Sequence, residues 1–329
     1  MSEPILEVTG LGVEFDSRRG NAAVLNDVGF TLAPGETLGL VGESGCGKSM
    51  TALAIMRLIP SPPGRITRGA IRFRGEDLLK VSEARMRAIR GKEISMIFQE
   101  PMTALNPVYT IGNQIIETIR LHLGLSGNTA RTRAIEMLTA VGIPAPDRRI
   151  DEYPHQLSGG MRQRVMIAMA LVCKPAVLIA DEPTTALDVT VQAQILDLLQ
   201  ELQTTTGTAI LLITHDMAVV ARMADRVVVM YAGRNVEEGG ATAVLERPSH
   251  PYSRGLIDCL PSIETGERPA YLPEIAGMVP SIWEHQPGCP FASRCSYVMD
   301  RCRSDMPPRF RTDAMRRVAC WLCGDKVVQ

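Results

Sequence analysis

Apolar residues along the chain fall into short unbroken runs that alternate with stretches of helical period. The runs Thr37–Val41 (TLGLV), Ile94–Phe98 (ISMIF), Ala176–Ala180 (AVLIA), Ala209–Ile213 (AILLI) and Arg226–Tyr231 have strand length. Being apolar on both faces, they predict a parallel sheet covered by helices. Ile5–Phe15 reads as a further strand, and Arg226–Tyr231 closes the series. Helices are expected between the strands, over 49–59, 189–206 and 216–223. Three helical patterns, 111–124, 129–141 and 159–171, follow one another with no strand pattern between them, so about 100–170 reads as a helical insert in an α/β core. After Gly239-Gly240 the texture changes. Prolines 248, 251, 261, 269, 273, 280, 287 and 290 crowd one segment, which predicts a loop-rich C-terminal extension. Loops of that length need something to hold them.

Composition adds limits. A chain of 329 residues suggests about two domains. Lys plus Arg (35) balances Asp plus Glu (36), so a nucleic-acid role needs a local patch rather than a whole-chain charge. Aromatics are only 4%, which makes the expected cores aliphatic. The longest apolar stretch, Val165–Ala180, is broken by Lys174-Pro175 and falls short of the ~20 residues a spanning helix needs. Met1-Ser2-Glu3-Pro4 lacks the basic and apolar regions of a signal peptide. The reading is a soluble cytosolic protein, free to dock on a membrane partner.

The chemistry begins at Gly42-Glu43-Ser44-Gly45-Cys46-Gly47-Lys48-Ser49, which fits G-x-x-x-x-G-K-[ST] between a strand and a helix. Glycines let backbone N–H groups face phosphates, and the helix start adds its positive dipole end. Gly42, Ser44, Gly45, Cys46, Gly47, Lys48, Ser49 and Met50 are the expected nucleotide-binding residues. Lys48 would reach the β- and γ-phosphates and Ser49 would ligate Mg²⁺. Cys46 is read either as a reactive thiol at a helix start or as a tolerated small side chain. The apolar strand ending in Asp181-Glu182 supplies a second Mg²⁺ ligand in Asp181 and a water-polarising carboxylate in Glu182. His215, after the strand AILLIT, is placed for a γ-phosphate contact.

A second helix start, Leu157-Ser158-Gly159-Gly160-Met161-Arg162-Gln163-Arg164, has an N-cap and two exposed-backbone glycines, expected to open a helix at Met161. One nucleotide needs only one such loop, so this one suits the nucleotide of a partner subunit. LSGGMRQR resembles the signature of ABC-type ATPases. The glycine-rich loop, Gln99, LSGG, Asp181-Glu182, Ala186-Leu187-Asp188 and His215 occur in that family's order. The resemblance covers about residues 3–250. It implies an α/β P-loop ATPase fold with a helical subdomain. It makes Gln99 the residue that touches Mg²⁺ or water and links the site to a transmembrane partner. It makes Ser158, Gly159 and Gly160 contacts to the γ-phosphate across a head-to-tail dimer, and Asp188 a residue of that interface. Phe15 stands where the family has an aromatic on the adenine; the other reading is a buried strand residue. Lys48, Gln99, Glu182 and His215 are the implied catalytic set.

Five of eight cysteines fall after residue 285. Cys289, Cys295, Cys302 and Cys320 are separated by five, six and seventeen residues, and Cys323 follows after two more intervening residues. Only Cys320/Cys323 has the pair spacing usual for zinc, whereas four thiolates on a loop suit an iron–sulfur cluster. Zinc, cluster and free thiols all remain open on spacing alone. Cys173 and Cys259 are expected to be buried packing residues. The segment resembles the C-terminal extension of ATPase subunits from dipeptide and oligopeptide importers. Cys289-Pro290-Phe291, Arg294-Cys295, Asp300-Arg301-Cys302, Arg317-Val318-Ala319-Cys320, His250-Pro251-Tyr252 and Gln99-Glu100-Pro101-Met102-Thr103-Ala104-Leu105-Asn106-Pro107 carry this. It implies an ATPase domain over 1–247 and an extension over 248–329. It further implies a [4Fe–4S] cluster on Cys289, Cys295, Cys302 and Cys320, with ATP and Mg²⁺ at the nucleotide site. The partners implied are a second ABC ATPase subunit, favouring a heterodimer, two permease subunits and, indirectly, a substrate-binding protein, at the cytoplasmic face of the membrane and without nucleic acid. Uptake of another solute (a nickel chelate, an opine or a sugar) and a soluble ATPase acting on nucleic acid or ribosomes are the alternatives.

Overall fold

The computed structural model describes residues 3–18, 20–99, 104–185, 187–259, 274–283, 287–313 and 315–324. Glu100, Pro101, Met102, Thr103, Ala186, Pro261, Pro269 and Pro273 lie outside the described residues. Strands β1 (Leu6–Ser17), β2 (Gly20–Leu32) and β3 (Thr37–Val41) lead into helix α1 (Lys48–Ile55). Then come β4 (Gly64–Phe73), β5 (Glu76–Asp77), α2 (Glu83–Ile89) and β6 (Ile94–Ile97). Helices α3 (Ile111–Leu123), α4 (Gly127–Ala140), α5 (Pro146–Arg149) and α6 (Gly159–Leu171) follow. The alternation resumes with β7 (Val177–Asp181), α7 (Val189–Thr206), β8 (Ala209–Thr214), α8 (Met217–Met223) and β9 (Arg226–Tyr231). Strand β10 (Arg234–Gly240) and helices α9 (Ala241–Glu246) and α10 (Pro251–Asp258) come next. The C-terminal part carries α11 (Asp300–Ser304), β11 (Phe310–Arg311) and β12 (Arg317–Val318).

By its internal contacts the chain divides into two compact units. The first comprises Met1–Leu6, Leu32–Glu36 and Arg72–Leu212. In it β6 and β7 run parallel, Ile94 opposite Val177 and Ile97 opposite Ala180. Every residue of β7 is buried, as its unbroken apolar run requires. Helices α3, α4 and α6 pack on one another. Ile111, Ile115 and Ile119 of α3 and Ala130, Ala134 and Leu138 of α4, spaced by four, form the buried stripes. Thr110 caps α3 by accepting from the Asn113 N–H at 3.2 Å, and Gly124 ends the helix in the left-handed region at φ 68°.

The second unit comprises Glu7–Thr31, Thr37–Ile71 and Ile213–Gln329. Here β3 and β9 pair in parallel, and β10 returns antiparallel to β9 with an irregularity between Asn235 and Glu237. The two-residue strands β12 and β11 extend that edge, Glu237 facing Val318 and Phe310 facing Val318 in turn. Val41, Val227, Val229, Tyr231, Val236, Tyr252 and Phe291 form one buried cluster, against which Cys289 and Cys295 pack. Glu237, with a fully buried carboxylate, accepts from the N–H groups of Ser249 and His250 at 2.9 Å each and from Arg316 at 3.0 and 2.5 Å. It thereby ties the strand to both ends of the extension.

The six strands expected are present, and the helical insert is as expected. The series does not close at β9, because β10 follows it, and Gly239-Gly240 lies inside that strand. Strands β2 and β4 were not expected: β4 mixes exposed arginines with buried residues, and in β2 the buried residues Ala22, Leu25 and Val28 are spaced by three. Helix α1 ends at Ile55, with Arg57 in the left-handed region at φ 50°, so the expected helix over 49–59 is shorter. The extension is less loop-like than expected, holding α10, α11, β11 and β12. Cys173 and Cys259 are only half-buried: Cys259 is the C-cap of α10, and Cys173 follows the last residue of α6 and its cap. No helix among the described residues is long and apolar enough to cross a membrane.

Candidate functional site

In the second unit, β3 delivers the chain into a tight glycine loop. Gly42, Gly45 and Gly47 have φ of 151°, 80° and 105°, values that a side chain rarely tolerates. A Cβ on Gly42 would lie 2.3 Å from the Met230 carbonyl oxygen, so no larger residue fits. Gly47 is the N-cap of α1, and Lys48, Ser49 and Met50 form its first turn. Lys48 is buried, and its ammonium donates to the carbonyls of Gly42 at 2.7 Å and Glu43 at 3.2 Å. The loop is thus the curled backbone cradle at a helix start that binds phosphates. Cys46 is fully buried, and burial pushes its thiol pKa up. That favours the tolerated small side chain over the reactive thiol. Phe15 lies half-buried on β1; a Cβ added to Gly64 would meet its ring tip at 2.9 Å. His215 follows β8, exposed, just before Asp216, whose carboxylate caps α8 by accepting from Ala218 at 2.8 Å and Val219 at 3.4 Å.

In the first unit, Asp181 is the buried last residue of β7. Glu182 follows with φ 47°, a left-handed conformation that costs a non-glycine residue energy. Its Oε2 accepts from Gln99 Nε2 at 3.0 Å and from Thr185 Oγ1 at 2.8 Å. Gln99 and Glu182, 83 positions apart, are therefore bonded to each other. Thr185 was missed, although a hydroxyl three residues after Glu182 is the signal that could have found it. Ser158 caps α6, accepting from the Met161 N–H at 3.3 Å. The helix begins at Gly159, where the 159–171 pattern starts and two residues before Met161, and Ser158 and Gly159 are exposed. A Cβ on Gly160 would lie 2.9 Å from Val191 Cγ1, so glycine permits close approach to the start of α7. Asp188 caps that helix, accepting from Val191 N–H at 2.9 Å. The signature loop and Asp188 are thereby brought together on one exposed face.

Cys289, Cys295, Cys302 and Cys320 line one narrow apolar cavity with His250, Phe291 and Leu322. Cys323 does not line it. The Cys289 N–H donates to the Cys302 carbonyl at 2.7 Å. All are free thiols. Burial in apolar surroundings raises Cys289 to about 11 and Cys320 to about 12, and raises Cys295 as well. Burial also lowers His250 to about 3, and its Nδ1 accepts from the Tyr252 N–H at 3.0 Å. Among the described residues no group of three or more His, Cys, Asp or Glu is placed to hold a metal ion. The iron–sulfur expectation therefore gains no preformed metal-ligand group, only four thiols around one cavity.

Residues 25–185 match the family described as ABC transporter, and residues 236–302 match the oligopeptide/dipeptide transporter C-terminal region. A Sinorhizobium fredii protein described as a "probable peptide ABC transporter ATP-binding protein" is 49% identical over 98% of this chain and 96% of its own length. The dipeptide transport ATP-binding protein DppD of Bacillus subtilis is 48% identical over 97% of this chain and 95% of its own. Among solved structures, the dimeric post-hydrolysis state of the ATP-binding cassette MJ0796 bound to ADP and Pi aligns with a TM-score of 0.65. It shares 27% identity, covering 72% of this chain and 98% of that one.

Proposed function

Since the chain belongs to the ABC transporter family of ATP-binding proteins, we propose that it is the ATP-hydrolysing subunit of a di- or oligopeptide importer. The observation that carries the hydrolytic part is the Glu182 carboxylate, strained in its backbone and held by Gln99 and Thr185 directly after the buried Asp181. The match of residues 236–302 to the oligopeptide/dipeptide transporter C-terminal region supports the substrate class. In this reading residues 1–247 form the ATPase domain and 248–329 the extension.

The roles follow from the chemistry. The loop N–H groups and Lys48 hold the β- and γ-phosphates, and Phe15 stacks on the adenine. Ser49 and Asp181, with Gln99, would hold Mg²⁺, which would supply charge that offsets that of the phosphates. Glu182 orients water in line with the γ-phosphorus, and His215 supports the charge that develops there. Ser158, Gly159 and Asp188 are exposed and Gly160 is half-buried beside them, a placement that suits service to the nucleotide of a second subunit, a related chain rather than a copy. The MJ0796 cassette, described as a dimer, supports such pairing. Val108, Tyr109 and Leu121 are 71%, 54% and 75% exposed, an apolar surface suited to a permease helix at the cytoplasmic face of the membrane.

The cysteine cavity fits a [4Fe–4S] cluster by its donors. Four free thiols share one apolar space, and that is the ligand set such a cluster takes. Cys289, Cys295, Cys302 and Cys320 would hold it, and it would cross-link the extension. Nucleotide hydrolysis requires no electrons from it.

The test of the hydrolytic reading is Glu182→Gln in the assembled transporter. ATP binding should persist while turnover falls by about 10²–10⁴-fold, with peptide uptake lost in parallel. Hydrolysis at the wild-type rate would sink the assignment of Glu182.

A further inference from the structure

The glycine loop carries a charge of the wrong sign for its ligand. Glu43 follows Gly42 directly, and an unpaired carboxylate there would repel a triphosphate. The extension answers it. Arg294 donates to Glu43 through both ends of its guanidinium, Nη1 to Oε2 at 2.7 Å and Nη2 to Oε1 at 3.0 Å. This fork is the strongest carboxylate geometry an arginine offers. The Arg294 side chain is only 4% exposed, and its remaining bonds fix it. Nη2 donates to the Ile275 carbonyl at 2.8 Å, Nε to the Ala276 carbonyl at 3.0 Å and Nη1 to Tyr231 Oη at 3.3 Å. Its guanidinium lies 5.8 Å from the Tyr231 ring centroid and 5.9 Å from that of Phe291. The backbone of Glu43 is held too. Its N–H donates to Tyr252 Oη at 2.8 Å, and its carbonyl accepts from Lys48 at 3.2 Å.

We propose that Arg294 is a positioning residue for nucleotide binding: the C-terminal extension reaches back to the glycine loop, neutralises Glu43 and holds the loop in its phosphate-binding curl. The inference rests on the nucleotide reading of that loop. Arg294 acts through Glu43 and does not touch the nucleotide. Phe291 and Cys295 of the cysteine cavity flank it in sequence, so the extension and the loop are mechanically joined at this pair. Lysine would be a poor substitute, since an ammonium cannot fork.

The experiment measures MgATP affinity and steady-state hydrolysis on the full chain in its transporter complex. Arg294→Met should raise Kd and KM for ATP about tenfold or more, with kcat changing less than KM. Glu43→Gln added to it should recover most of the affinity, because the unpaired charge is gone. Arg294→Lys, which keeps the charge and most of the stem, should fall between wild type and Arg294→Met and serves should that variant not fold. Wild-type affinity in Arg294→Met or Arg294→Lys, or a double variant no better than Arg294→Met, would overturn the proposal. Lys48→Ala is the separate control: if it binds MgATP as wild type does, the nucleotide reading itself fails.

Discussion

At the scale of single residues, the glycine loop tolerates very little. Gly42 has no room for a Cβ and sits at a φ that side chains avoid. Gly42→Ala should therefore lower stability by about 2 kcal/mol or more and abolish MgATP binding, read by calorimetry and by the urea unfolding midpoint. An alanine variant with wild-type stability and affinity would show that the loop is not held as described. Cys46 gives an independent check. Its thiol is buried within the loop and its pKa is raised from the ordinary 9.0, chiefly by desolvation. The thiolate, which is the reactive form, is then scarce at neutral pH and grows only above the usual thiol range. Iodoacetamide at pH 8 should leave Cys46 unmodified in the native protein and label it after denaturation, as peptide mass mapping would read. Rapid native labelling would contradict the burial.

At the scale of elements, β10 shows why some of the fold is hard to read in advance. Arg234–Gly240 contains two consecutive glutamates, both buried, and no apolar run. Only the partners make it a strand: Arg316 and two backbone N–H groups on Glu237, and Arg226 on Glu238 at 2.6 Å. Glu237→Ala leaves Arg316 buried without its carboxylate and frees two N–H donors. We expect a loss of about 3–5 kcal/mol, measured by urea unfolding, with a smaller further loss when Arg316→Met is added. Additive losses would mean that the two do not act as a pair. Strands such as β7 and β8 were legible because burial on both faces leaves only one composition possible. Strands β2 and β4 were not, because exposed arginines break the pattern of β4, and the buried positions Ala22, Leu25 and Val28 of β2 are spaced by three rather than two. The same division holds in the site. The glycine loop, Ser158 as a cap and Asp181-Glu182 are local patterns and could be read directly. The Gln99–Glu182 bond and the Arg294–Glu43 fork join residues 83 and 251 positions apart, and nothing in either neighbourhood announces the other.

At the scale of the whole chain, the extension poses a stability problem that a cluster on its cysteines would answer. Its regular elements are short: α11 has five residues, and β11 and β12 have two each. Such pieces do not hold themselves, since each ordered residue costs about 1–2 kcal/mol of backbone entropy. Arg316 on Glu237 and Arg309 on Asp27 at 3.2 Å fasten its later part, and Arg294 on Glu43 its earlier part. Between these anchors lies the cavity of Cys289, Cys295, Cys302 and Cys320. A cluster there would join all three cysteine-bearing loops and α11 at one point, which removes chain freedom from the unfolded state as a cross-link does. The chain purified without oxygen should then be brown and carry about four irons and four sulfides. Cys302→Ser should lose the colour, lower the unfolding temperature and open the extension to proteolysis. Cys323→Ser, outside the cavity, should keep all three properties. Full iron content in Cys302→Ser, or its loss in Cys323→Ser, would assign the ligands differently. One zinc in place of iron would identify the extension as a zinc-bound fold, with the nucleotide site standing on its own residues.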